Sequence, residues 1–78
     1  MLWGEIMKKF RVLSKTVMVF ALQMLDKLNM KQSRGWHGWG DKTLKGQFKK
    51  DLLKHVEKGD WVDVANYAMF LWNLENDA

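Results

Sequence analysis

The sequence predicts an all-α protein, a small bundle of three main helices completed by dimerisation. Apolar residues recur at three- and four-residue steps, which is helical spacing, and no run alternates in the way a strand requires. The 78 residues contain no proline, the commonest helix breaker. The third helical segment is apolar almost all round, more than a lone three-helix chain can cover, so a homodimer or larger assembly is expected.

The first helix is read from Ile6, Phe10, Leu13, Val17, Phe20, Met24, Leu28 and Met30 within residues 5–31. Ser14 is a candidate cap for a second helix after a break, so this stretch is one long helix or two nearly collinear ones. The turn at "SRGWHGWGD", Ser33 to Asp41, carries three glycines and the N-cap candidates Asp41 and Thr43. A second helix follows, with a stripe of Leu44, Phe48, Leu52, Leu53 and Val56. "EKGD" ends it, Gly59 suiting a left-handed C-terminal position and Asp60 the N-cap of a third helix from Trp61 to about Asn76.

These elements make one domain over residues 1–78, close to the size at which a single core can still hold a fold. With no cysteine there is neither a disulfide framework nor a Cys-type zinc site, and five tryptophans and four phenylalanines supply the apolar mass instead. The longest apolar run, "VMVFALQML", Val17 to Leu25, is about half of a bilayer span and reads as a buried helix. Lys8, Lys9 and Arg11 precede it in the manner of a signal peptide, but no small-residue cleavage site follows, so a cytoplasmic location without membrane attachment is expected.

The net charge of +4 is unevenly spread. Lys31, Arg34, Lys42, Lys45, Lys49, Lys50, Lys54 and Lys58 face Asp41, Asp51 and Glu57 in the middle of the chain, whereas Asp60, Asp63, Glu75 and Asp77 stand without a base at the end. That suits an anionic ligand beside a carboxylate site, and equally a solvated face beside one of other charge. No helix-turn-helix or other nucleic-acid motif accompanies the bases, so specific DNA binding is not expected.

Asn66 is the residue that helix chemistry explains least. Asp60 as N-cap and Asp63 in the first turn complement the positive end of the helix dipole. A mid-helix amide among apolar neighbours needs either a buried hydrogen-bond partner or a ligand. In the loop, Trp36 and Trp39 flank His37 and Gly38. Their indoles are placed either to stack on a nucleobase, with Lys31, Arg34 and Lys42 near its phosphates, or to plug the core beneath. His37 and His55 read as surface histidines without a second ligand at metal spacing.

Three segments, "FALQMLDKLNMKQSRGW" (Phe20–Trp36), "GWGD" (Gly38–Asp41) and "KGDWVDVANYAMFLW" (Lys58–Trp72), together resemble the MazG-like all-α nucleoside triphosphate pyrophosphohydrolases, particularly the short versions of phages and prophages. The resemblance implies that Asp63 is the metal-binding aspartate, with Asp60 in place of its glutamate partner and Mg2+ as the ion. It implies that Asn66 contacts the nucleotide and that Lys27, Asn29, Lys31 and Trp36 lie near it; Trp39 joins them if the loop stacks on the base. The family's Glu-Glu-x-x-Glu helix has no counterpart. The segment in its place, "GQFKKDLLKHVEKG", holds only Asp51 and Glu57 as acids, among Lys49, Lys50, Lys54 and Lys58. Polyphosphate hydrolysis takes several carboxylates to hold magnesium and activate water. The expectation is therefore a catalytically degenerate module that binds a nucleotide or nucleotide-derived signal in a host cytoplasm. Two alternatives stay open: a slow magnesium-dependent pyrophosphohydrolase using Asp60, Asp63 and Glu57, and a phage inhibitor of host defence that binds a host protein.

Overall fold

With nothing in the first thirty residues to break it, the chain begins as one continuous helix, α1 (Trp3–Ser33). The computed structural model describes residues 2–76 and adds α2 (Lys45–Lys58) and α3 (Trp61–Asn76), with 3-10 turns at Gly38–Gly40 and Lys42–Leu44 and no strand among the described residues. Ser14 lies inside α1 and caps nothing. Of the two arrangements left open for this stretch, the single helix is the one adopted. Nearby, the Thr16 hydroxyl donates to the Val12 carbonyl at 2.8 Å and so satisfies itself within the helix.

Both connections between the helices begin in the same way. At the end of α1, Gly35 adopts φ 89°, its N–H donates to the Gln32 carbonyl, and the Trp36 N–H donates to that of Lys31. At the end of α2, Gly59 adopts φ 73°, with Gly59 N–H to Val56 and Asp60 N–H to His55. These paired bonds close off carbonyls that the helix leaves orphaned, and the left-handed residue is glycine because a Cβ would be strained there. Between them, the Asp41 carboxylate accepts from the Thr43 N–H at 2.9 Å and its hydroxyl at 2.6 Å, fixing the turn that leads into α2. Those two bonds hold the Asp41 carboxyl below its usual pKa.

α3 is the central element, with α1 and α2 both packed on it. Its buried residues Asn66, Tyr67, Phe70 and Leu74 fall on one face, and Phe48 of α2 completes the fully buried apolar set. Rings dominate this core: Phe70 lies 5.4 Å from both Trp36 and Phe48, and Tyr67 meets Phe70 edge-on at 5.7 Å. Such tilted pairs add to the area they bury, which helps so small a core.

Two expectations are corrected by this packing. The α2 stripe is narrower than its sequence suggests: Leu44 and Leu52 flank Phe48 against the core, but Leu53 is exposed, because α2 has a single helix to cover it. Nor is α3 the least covered helix, although Trp61 and Trp72 stay exposed. That place belongs to α1, which buries none of its residues and extends away from the bundle, giving overall dimensions of 51 × 28 × 27 Å. No helix among the described residues is long and apolar enough to cross a membrane.

Candidate functional site

Where α1 crosses α3, Met24, Lys27, Leu28 and Lys31 meet the inner face of α3, and each side of this contact carries a distinct feature. The glycine turn after α2 brings His55, in the last turn of that helix, beside Asp60 and Asp63 at the start of α3. His55 Nδ1 is 3.2 Å from Asp60 Oδ2 and 3.7 Å from Asp63 Oδ2. Lys27 of α1 donates to the same Asp63 oxygen at 2.8 Å. The His55 ring stacks on Tyr67 at 5.3 Å. Burial first, then the carboxylates of Asp51 and Asp63, push the Tyr67 phenol above its usual pKa.

His55 is thus not the isolated surface histidine that the sequence suggests. It is half-buried and paired with two carboxylates, a placement that depends on the left-handed turn at Gly59 folding α3 back toward α2. One ligand atom from each of His55, Asp60 and Asp63 lies within 4.8 Å of the others. This donor set does not fit the magnesium implied by the family resemblance. A hard cation seeks oxygen ligands and retained waters, whereas here one of the two carboxylates is held by an ammonium and both sit beside an imidazole nitrogen. Glu57, the third acid available nearby in sequence, is exposed and does not join the group.

The other side of the α1–α3 contact is a groove of about 300 Å³. Its walls carry the indoles of Trp36, Trp39 and Trp72, and the polar groups among them are the amides of Asn29, Gln32 and Asn73. The helical spacing of Asn29 and Gln32 on α1 aims both side chains to one side. Trp36 has a double role: one part packs on Phe70 in the core, as the plug reading anticipates, while the ring also lines the groove. Trp39 is 41% exposed, free to meet a flat partner. Lys31 holds its ammonium 5.1 Å from the centre of the Trp36 ring and 5.4 Å from that of Tyr67.

The residues expected around a nucleotide are therefore divided. Asn29, Trp36 and Trp39 line the groove; Lys27 belongs to the Asp63 cluster; Lys31 lies against Trp36. Asn66 is outside the groove lining. It is buried between α1 and α3, its Nδ2 donating to the Met24 carbonyl at 3.3 Å and its Oδ1 lacking a partner among the described residues. Sequence reasoning does not mark Gln32, Trp72 or Asn73 as site residues, and it marks His55 only as a surface histidine. Trp72 and Asn73 had one available signal, a polar and aromatic pair following Met69 by one helical turn in an otherwise apolar helix.

Comparisons with protein-family profiles, curated proteins and solved structures return no match for this chain.

Proposed function

We propose that this chain is a MazG-like helical module, phage or prophage encoded, that binds a nucleotide or nucleotide-derived small molecule and does not hydrolyse it. The observation that carries the reading is the groove, lined by three tryptophans and three carboxamide residues. Flat aromatic walls take a nucleobase by stacking, and an amide offers both a donor and an acceptor to the base edge. Lys31 does not line the groove, but its ammonium lies 5.1 Å from the centre of the groove-lining Trp36 ring. Absence of turnover follows from the cluster on the opposite side, where Lys27 and His55 occupy the carboxylates that a magnesium–polyphosphate complex would need.

The test is a titration of the intact protein with purine and pyrimidine nucleoside triphosphates, with and without magnesium, followed by tryptophan emission and calorimetry. Saturable quenching with at least one base, without release of pyrophosphate, is the expected result. Magnesium-dependent pyrophosphate release on the order of one turnover per second or faster would replace this reading with the enzymatic one. No heat and no emission change with any nucleotide would remove it.

A further inference from the structure

The free part of α1 carries a pattern that its packing within the chain does not use. Trp3, Ile6, Phe10, Leu13, Val17, Phe20 and Met24 follow alternating steps of three and four residues, the a and d positions of three successive heptads. At its C-terminal end this seam is covered by α3, through Met24, Lys27, Leu28 and Lys31. From Trp3 to Phe20 no other element among the described residues covers it, and only Ile6 is part-buried. Trp3 is 75% exposed, Phe10 61%, Leu13 62% and Val17 59%.

We infer that a second copy of this chain covers the seam, its α1 lying antiparallel along residues 3–20. The occupant follows from area and from charge. A compact chain of 9.2 kDa exposes about 4,900 Å² by the general scaling of surface with mass, whereas this chain exposes 6362 Å². The excess of about 1,400 Å² belongs to the whole chain, and a second copy that covered even half of it on each protomer would remove about 1,400 Å² in total, the size of a specific interface. The charged residues of this segment do not oppose a like-charged partner. Lys8 and Lys15 fall at the outermost heptad position, and Arg11 and Glu5 on the flanks away from the seam; Lys9 alone borders it, opposite Thr16 of the second copy.

Direction is set by α3. In a parallel pair each helix would run on along the seam into the α3 that already covers Met24 to Lys31. In an antiparallel pair the second helix starts beside Phe20 and runs away from α3. One register then pairs every a position with a d position of the partner: Trp3 with Phe20, Ile6 with Val17, Phe10 with Leu13, and the reverse. The paired stretch is 18 residues, or about 27 Å of helix.

Sedimentation of the intact chain at micromolar concentration is expected to give twice the 9.2 kDa chain mass. Leu13→Asp, at the centre of the seam, should weaken association at least tenfold, and Leu22→Glu, on the outer face, should leave it unchanged. A monomeric intact chain, or equal loss of association in both variants, would overturn the inference. Orientation is read independently of any folding defect in Leu13→Asp, because the chain has no cysteine of its own. Mixing Phe10→Cys and Leu13→Cys chains under mild oxidation should give the mixed disulfide. Efficient cross-linking of Leu13→Cys to itself, without the mixed product, would show a parallel pair and sink the antiparallel register. The result is separate from nucleotide binding, since the seam and the groove share no residue that either experiment alters.

Discussion

Asn66 and Trp39 divide the work that the sequence assigned jointly to a nucleotide site. Asn66 ties α3 to the α1 backbone through Met24 and has no access to the groove, so Asn66→Ala should lower stability by about 1 kcal/mol, the usual net value of a hydrogen bond. If the groove binds a nucleotide as proposed, the affinity of the folded fraction should change less than twofold. Trp39→Ala should do the reverse, since the ring is half exposed and lines the groove: the melting temperature holds while the quenching expected under the proposed nucleotide binding is lost. Thermal melts and titrations on both variants check the pair. A second residue-scale outcome concerns Tyr67, the single tyrosine of the chain, whose ionisation can be followed directly by tyrosinate absorbance. Its raised folded-state pKa means that the neutral phenol contributes stability fully below the ordinary value of 10.0, and that this contribution is lost as pH rises through the folded value. The absorbance midpoint should lie above 10.0 in folded protein, and Tyr67→Phe should flatten the decline in stability on that alkaline side. A midpoint at the ordinary value would show that the ring is not desolvated.

Among the elements, the turn between α2 and α3 does the most to shape the polar cluster. Gly59 holds φ 73°, and no atom lies within 4 Å of where a Cβ would be, so the cost of Gly59→Ala is conformational and not steric contact with neighbours. We expect a loss of about 1 kcal/mol. The same substitution should loosen the approach of His55 to Asp60, visible as a change in the His55 ring resonances by NMR, while the resonances of the Trp36–Trp39 loop stay in place. Unchanged stability would mean that the turn adopts another form in solution. The extent of α3 and this glycine stop were legible from local chemistry, because periodicity and capping act within a few residues of themselves. The unbroken course of α1 was legible only as one of two alternatives. Ser14 is acceptable both as a cap and as an exposed helical residue, and the surrounding periodicity continues through it.

For the molecule as a whole, shape is the property that most needs a partner. The radius of gyration is 16.0 Å, against about 11.5 Å for a compact domain of this length, because the N-terminal part of α1 lies outside the bundle. If the seam pairs as inferred, stability becomes coupled to association, and the melting temperature should rise with protein concentration. It should become independent of concentration in Leu13→Asp. The sequence by itself determined the all-α class, the three helices, the turn glycines and the aromatic character of the core, since each rests on spacing or on a residue's own backbone preference. It also marked Asn29, Trp36 and Trp39, which the fold brings to one groove. Tertiary structure alone decided which apolar faces are covered. A stripe along a helix does not say whether its partner lies in the same chain, and so the uncovered surface was expected on α3 and found on α1. It likewise decided that Asn66 faces a backbone carbonyl, and that His55 joins Asp60, Asp63 and Lys27. Those distances are set by the turn at Gly59 and the crossing of α1 over α3, and a group's charge environment depends on such distances and not on its neighbours in the chain.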